Sequence, residues 1–126
     1  MFEFKWYVVL VLVTIGGSMK IIKTKTYERD YKNKLVKKHK KEEIENIEDL
    51  ELLILMSKNF DLVLKDDLSH YMKVEKKKGN LKEVYTARIG KKDRLIMVPI
   101  GEYPYVAVEI KEIIFEEIDD SHYGGK

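Results

Sequence analysis

A glutamate, Glu75, lies within the most basic stretch of this 126-residue chain, residues 73–94. That stretch holds nine lysines and arginines against three acidic residues, a local charge of +6, whereas the whole chain carries only +2. Such a patch neutralises phosphates and steers a polyanion toward the protein. A carboxylate within it could act as general base on a ribose 2′-hydroxyl, the nucleophile that RNA itself contains. The arrangement therefore indicates RNA chemistry.

The other steps of RNA cleavage need a cation for the phosphoryl transition state and an acid for the leaving 5′-oxygen. Arg94 follows a predicted turn and offers a planar guanidinium suited to phosphate oxygens, and Arg88 is a second candidate. His122 is the candidate acid because imidazole titrates near neutral pH, and Tyr123 could stack on a base or hydrogen-bond to phosphate. The residues expected to bind the RNA backbone are Lys73, Lys76, Lys77, Lys78, Lys82, Arg88, Lys91 and Lys92.

Each of these residues also has a purely structural interpretation. A glutamate among lysines is commonly a surface ion-pair partner. Arg94 could brace Asp93 or a helix end, and His122 lies in a glycine-containing tail whose side chains are commonly just exposed. Against this, Tyr71 and Tyr85 beside the basic stretch supply the aromatic faces on which single-stranded nucleic acids stack.

Composition narrows the classes of protein. A chain of this length fits one domain, and 44% hydrophobic with 37% charged residues indicates a compact core under a charged surface. The absence of cysteine excludes disulfides and thiolate metal sites and fits a cytoplasmic location. The three histidines have no ligand-like spacing, so we expect a metal-independent reaction without a cofactor.

The N-terminal segment is a separate question. Residues 6–15 are apolar except for Thr14 but too few to span a bilayer, and Glu3 and the lack of a cleavage pattern weigh against a secretory signal. Gly16, Gly17 and Ser18 before Met19 fit a purine-rich ribosome-binding sequence ahead of a start codon. Residues 1–18 are therefore predicted to be a translated leader and residues 19–126 one domain, with a membrane anchor or an additional strand as alternatives.

Hydrophobic periodicity predicts an α+β fold. Ile21 and Ile22 indicate a first strand, Thr26 could cap the next helix, and a second helix is predicted from about residue 42 to 58. Residues 59–72 are predicted to be a connector with a turn at 66–69. Strands are expected at residues 84–89, 95–100 and 105–115, although Pro99 suits a strand edge or bulge better than a strand centre. The order is strand, two-helix hairpin and three-strand antiparallel meander, with both helices on one face of the sheet.

The basic stretch resembles the core of YoeB-type toxins of the RelE/ParE superfamily. A lysine-x-glutamate leads through a lysine and an asparagine-leucine pair to an arginine-isoleucine, and an arginine-leucine follows a short turn. The positions in register, without a gap, are Lys73, Glu75, Lys78, Asn80, Leu81, Arg88, Ile89, Arg94 and Leu95. At the C-terminus the chain departs from that family, because residues 116–121 precede the His122–Tyr123 pair and residues 124–126 follow it.

The resemblance implies a RelE-like fold and the toxin of a type II toxin-antitoxin system, an endoribonuclease that cleaves mRNA in the ribosomal A site. It implies Glu75 as general base, Arg94 as phosphate stabiliser, His122 as acid and Tyr123 as positioning residue. The implied partners are a cognate antitoxin and the 70S ribosome with its mRNA, with no membrane partner; a homodimer is left open. Two alternatives remain: a ParE-like toxin of the same fold that binds DNA gyrase, and a basic RNA-binding module without catalysis.

Overall fold

The computed structural model describes residues 18–78 and 83–120. Its centre is a five-stranded mixed sheet in the order β1-β5-β4-β3-β2. Strand β1 pairs in parallel with β5, and every other neighbouring pair is antiparallel. The strands are β1 (Lys20–Lys23), β2 (Glu75–Lys78), β3 (Glu83–Arg88), β4 (Arg94–Pro99) and β5 (Glu112–Asp119).

Four helices connect β1 to β2. They are α1 (Lys25–Asp30), which continues as a π-helix (Tyr31–Val36), α2 (Lys41–Met56), α3 (Phe60–Lys65) and α4 (Asp67–Tyr71). Thr24, not the predicted Thr26, caps α1, because its hydroxyl accepts a hydrogen bond of 2.9 Å from the Tyr27 N–H. His39, at φ 55°, lies between the π-helix and α2, where the chain reverses direction.

The core lies between these helices and one face of the sheet. Side chains of a strand alternate between faces, and the buried set on the helix side is Tyr85, Ala87, Leu95, Met97, Ile113, Phe115 and Ile118. The helices contribute Tyr27, Leu35, Ile47, Leu50 and Ile54. The Tyr27 and Phe115 rings meet edge to face at 5.4 Å, a favourable geometry for aromatic pairs. Both helices of the hairpin therefore cover one face, as predicted.

The opposite side of the sheet is called the distal face below. The cross-strand register assigns to it, from β2 to β5, the side chains of Glu75, Lys77, Val84, Thr86, Arg88, Arg94, Ile96, Val98, Ile114, Glu117 and Asp119. A β-bulge in β5, opposite the step from Ile96 to Met97, keeps Ile118 on the helix side beyond that point. The distal face is thus much more highly charged than the helix side.

The α+β prediction is confirmed, and the differences have simple causes. Strand β2 was missed because its sequence, EKKK, has no apolar alternation; all four residues are exposed, and pairing with β3 holds the strand. The predicted strand at 105–115 begins only at Glu112 and ends at Asp119, while a 3₁₀ turn (Ala107–Glu109) precedes it. The apolar residues Val106 and Val108 in that connection are about half exposed. They fit the residue preferences of a strand, but they do not pack against the core.

Two smaller expectations also change. The turn predicted at 66–69 is the start of α4, where the Asp66 carboxylate accepts a hydrogen bond of 2.9 Å from the Leu68 N–H. Pro99 ends β4 beyond the residues that pair with β3, so its missing N–H costs no hydrogen bond of that ladder. The predicted leader, apart from Ser18, lies outside the described residues. Within residues 18–78 and 83–120, no helix is long and apolar enough to cross a bilayer.

Candidate nucleic-acid and catalytic site

Glu75 is the first residue of β2, the edge strand, and lies opposite Thr86 of β3. Its side chain is half exposed, and the Lys77 ammonium lies 4.0 Å from its carboxylate. An exposed pair at that distance contributes little to stability. The carboxylate is therefore available to a ligand.

The turn before β2 fixes the position of Glu75. Lys73 adopts φ 50° at the end of α4, and its N–H donates to the His70 carbonyl at 3.1 Å. The Arg88 N–H donates to the Met72 carbonyl at 2.7 Å, which extends the contact between this segment and β3 past Glu75. Lys73 and Arg88 are thereby brought next to each other at the same end of the sheet.

Two arginines stand opposite each other on the distal face. Arg88 of β3 pairs in register with Arg94 of β4, one step along the face from the Glu75–Thr86 pair. Strand geometry places the Cα atoms of Glu75 and Arg88 about 7 to 8 Å apart, and those of Glu75 and Arg94 about 12 Å apart. All three long side chains can therefore reach one phosphodiester.

The electrostatics of this arginine pair favour an anion. Like charges directly opposite each other on neighbouring strands repel. Asp119 lies beside Arg94 on β5 and offsets part of that repulsion, but Arg88 has no acidic residue opposite it. In the part of the chain that the structure describes, neither guanidinium has a hydrogen bond or ion pair with a side chain. A phosphate between them would remove the repulsion.

The connection between β3 and β4 holds Arg94 in place. Asp93 is 1% exposed, and its carboxylate accepts a hydrogen bond of 2.8 Å from the Lys40 ammonium. The Asp93 carbonyl accepts hydrogen bonds from the N–H groups of Ile89 and Gly90. Asp93 is thus bound to the helical hairpin through Lys40.

Removing the Lys40 ammonium should destabilise this connection. Lys40→Met leaves the Asp93 carboxylate buried and uncompensated, and we expect the free energy of unfolding to fall by about 2 kcal/mol at pH 7. The hydrogen bond to Asp93 raises the pKa of Lys40 above 10.5. Because the pKa of Lys40 is higher in the folded than in the unfolded protein, its stabilising contribution is fully present below pH 10.5 and is lost as the pH rises through the folded-state pKa. The difference in free energy of unfolding between the parent protein and Lys40→Met should therefore shrink at alkaline pH. Urea titrations at pH 7 and pH 11 measure it.

The control for this prediction is Lys38→Met, which removes an exposed ammonium from the same turn. Its free energy of unfolding should stay within about 0.5 kcal/mol of the parent protein. Equal stability of the Lys38 and Lys40 variants at pH 7 would show that the buried pair contributes nothing.

The remaining predicted site residues are distributed unequally. Lys73 and Lys77 adjoin Glu75, whereas Lys76 lies on the other side of β2, 3.7 Å from the Glu83 carboxylate. Lys78 alternates in the same direction as Lys76, and Lys91 and Lys92 are exposed in the β3–β4 connection. Lys82, Asn80, Leu81, His122 and Tyr123 lie outside the described residues.

The C-terminal end of β5 shows where the tail begins. The Ile118 N–H donates to the Asp30 carboxylate at 3.0 Å, and the Lys34 ammonium donates to the Ile118 carbonyl at 2.8 Å. Since β5 runs to Asp119, opposite Arg94, the chain reaches residue 120 beside the arginine pair. The strand therefore runs one residue past Ile118, and residues 121–126 lie outside the described part of the chain.

Three further groups are apparent only from the structure. Thr86 is 6% exposed and lies between Glu75 and Ile96 in the strand register, and its hydroxyl has no hydrogen-bond partner among the described residues. His70 lines an open depression together with Glu75. On the distal face near Asp119, burial and then neighbouring carboxylates raise the pKa of Glu117. In the sequence Thr86 is an ordinary strand residue, and only the register of β2 reveals its place.

One expected aromatic contribution is wrong. Tyr85 is 8% exposed and packs edge to face against Phe60 at 4.9 Å, so its ring cannot stack on a base. Tyr71 is 70% exposed and stays available for stacking. No set of three or more metal-ligating side chains converges within residues 18–78 and 83–120.

Comparison of the chain with protein-family models, with curated protein sequences and with solved structures gives no match. The functional case therefore depends on what the geometry itself brings together. On one sheet face lie a half-exposed carboxylate, two opposed arginines and a buried hydroxyl without a partner, with lysines around them. This arrangement is suited to holding a phosphodiester beside a carboxylate that can act as a general base.

Proposed function

We propose that this protein is an endoribonuclease that cleaves mRNA in the ribosomal A site, the toxin of a type II toxin-antitoxin system with a RelE-like fold. The observation that carries the proposal is the register that places Glu75, Arg88 and Arg94 on one face of the sheet, with the two arginines opposite each other. The ungapped resemblance of residues 73–95 to YoeB-type toxins supplies the ribosome and the antitoxin as partners.

In the proposed reaction, the Glu75 carboxylate takes the proton of a ribose 2′-hydroxyl, and the 2′-oxygen forms a bond to the adjacent phosphorus. The bond from phosphorus to the 5′-oxygen breaks, and an acid protonates that oxygen. The products are a 2′,3′-cyclic phosphate and a 5′-hydroxyl end. Arg94 and Arg88 bind the two non-bridging phosphate oxygens, where negative charge accumulates in the transition state. Their positive charge takes the role that a metal ion has in other nucleases.

The surrounding cations are suited to a polyanionic partner such as the RNA of a ribosome. Lys73, Lys77, Lys91 and Lys92 extend the positive potential around the site to both ends of the β3 strand. Such a potential increases the rate of encounter with a polyanion but does not choose a sequence. An acidic antitoxin segment would cover the same surface by charge complementarity, and ribosome-bound substrate would place the reaction in the cytoplasm.

The proposal is tested by adding the purified protein to a translating extract and mapping the 5′ ends of the mRNA. We expect new 5′-hydroxyl ends within codons at the A site, and no cleavage of the same mRNA without ribosomes. Cleavage of free RNA would indicate a different nuclease. Intact mRNA together with trapped gyrase-DNA complexes would support the ParE-like alternative, and intact mRNA bound by the protein would support the non-catalytic RNA-binding module.

Thr86 supplies a prediction about the substrate. Thr86→Val removes a hydroxyl that has no partner in the described part of the chain, so stability should stay equal or rise slightly. The hydroxyl is buried in the free protein, so it can donate to a bound phosphate only where substrate binding exposes it. In that case cleavage should fall by about 10-fold, as expected for one lost hydrogen bond of about 1.4 kcal/mol. Single-turnover cleavage on programmed ribosomes measures the rate. Thr86→Ser keeps the hydroxyl and is the control; equal rates for both variants would assign the hydroxyl no role.

A further inference from the structure

An open depression of about 410 Å³ lies at the edge of the sheet, where α4 leads into β2. Its walls are Ser69, His70, Lys73, Val74 and Glu75. The proposed base therefore shares a solvent-accessible concavity with an imidazole. No other histidine in the described part of the chain lines it, since His39 lies in the turn between the π-helix and α2.

The backbone around His70 is held firmly. Its N–H donates to the Asp66 carbonyl at 3.3 Å, and its carbonyl accepts from the Lys73 N–H at 3.1 Å. Ser69 beside it is 1% exposed, with its hydroxyl bonded to the Val63 carbonyl. The Val74 N–H donates to the Ser69 carbonyl at 2.9 Å, one residue before Glu75. Two backbone hydrogen bonds thus hold this short turn and fix the backbone positions of His70 and Glu75.

The charges in the depression suit a phosphodiester. Lys73 lies in its wall, and Arg88 is bonded through its backbone to Met72, the residue before Lys73. The His70 ring has no hydrogen-bond or ion-pair partner among the described residues, so nothing there competes with a ligand. The phosphate that Arg88 and Arg94 are proposed to bind would then have Lys73, Glu75 and His70 at the same end of the sheet.

We propose that His70 is a catalytic residue, the general acid that protonates the leaving 5′-oxygen opposite Glu75. This inference rests on the proposed function, because it assigns the acid of that same reaction. The imidazolium donates its proton to the 5′-oxygen as the bond from phosphorus to that oxygen breaks. Glu75 has meanwhile accepted the proton of the 2′-hydroxyl. One proton enters the enzyme and one leaves it, so the transfer balances without a metal or redox partner.

The test uses the full chain and ribosomes programmed with mRNA carrying one 5′-bridging phosphorothiolate at the cleaved linkage. A thiolate leaves without protonation far more readily than an alkoxide, since thiols ionise near pH 8.5. We expect His70→Gln to slow cleavage of the ordinary linkage about 100-fold, the usual size of a lost general acid, and to cleave the phosphorothiolate within about 3-fold of the parent protein. Glu75→Gln should be slow on both substrates, because it impairs nucleophile activation.

His39→Gln is the matched control and should behave like the parent on both substrates, because His39 lies outside the depression. Parent-like cleavage of the ordinary linkage by His70→Gln would overturn the assignment while leaving the proposed function intact. Rescue by the phosphorothiolate in His122→Gln instead of His70→Gln would transfer the acid to the tail and also overturn it. Failure of the parent protein to cleave on ribosomes would reject the proposed function and this inference together. Thermal melting of each variant separates misfolding from lost chemistry.

Discussion

Replacing Glu75 by glutamine is expected to lower the rate of mRNA cleavage on the ribosome by about 10²- to 10⁴-fold and to abolish growth inhibition. Glutamine keeps the shape and hydrogen-bonding capacity of the side chain but cannot accept the 2′-hydroxyl proton. The fold should be unaffected, since the side chain is half exposed and its ion-pair contact with Lys77 is a 4.0 Å approach. Single-turnover cleavage with saturating enzyme measures the chemical step apart from binding.

The matched control for this substitution is Glu112→Gln, which removes a carboxylate from β5, three strands away from β2, where Glu112 lies opposite Lys20 of β1. Both variants gain one unit of positive charge, so any general effect on RNA attraction is the same in both. We expect Glu112→Gln to retain parent activity. Full activity in Glu75→Gln would exclude Glu75 as the general base of the proposed reaction.

The sequence contained enough to predict the layered fold. The periodicities of α2 and of strands β3 and β4 are strong, and they gave the α+β class and the side on which the helices lie. The predicted strands at 84–89 and 95–100 match β3 and β4 to within one residue at each end. These elements have clear patterns because each packs one side against the core.

The site was only partly predictable, because what decides it is register. The EKKK sequence of β2 has no apolar residue, and its strand exists through backbone pairing with β3. Without that strand, Glu75 could be placed near the arginines only by resemblance. Thr86 and His70 could not be identified at all, since one needs the pairing of β2 and β3 and the other the turn after α4.

Two predictions that rested on aromatic and apolar residues were wrong for a related reason. In the sequence Tyr85 is an aromatic residue within a basic stretch. In the structure strand alternation directs its side chain toward the core, where it packs against Phe60. Val106 and Val108 read as strand residues but remain in a loop. Residue type alone therefore predicted neither which aromatic is available to RNA nor where β5 begins; the direction of each side chain had to be known.

Substituting Arg94 by alanine is expected to reduce cleavage by about 10²- to 10³-fold, the usual effect of removing one donor to a developing anionic charge. The reduction should appear in the rate at saturating protein concentration, because Arg88 and the lysines continue to bind the phosphate backbone. The cleavage rate of Arg94→Lys should lie between those of the parent protein and Arg94→Ala. An ammonium keeps the charge but lacks the planar guanidinium that fits two phosphate oxygens. Quench-flow measurement on programmed ribosomes separates rate from binding.

Arg29→Ala provides the control, because Arg29 is exposed on α1, on the helix side of the sheet, and its loss changes the net charge equally. Its rate should match that of the parent protein. Arg94→Ala should also retain the stability of the parent. The substitution removes the repulsion between Arg94 and Arg88, and this gain offsets the loss of the cation opposite Asp119. If Arg94→Ala only weakens binding, to the same extent as Arg29→Ala, then Arg94 attracts RNA without stabilising the transition state. Arg88 would then have to stabilise the charge of the transition state, since of the two arginines it lies closer to Glu75 across the strands.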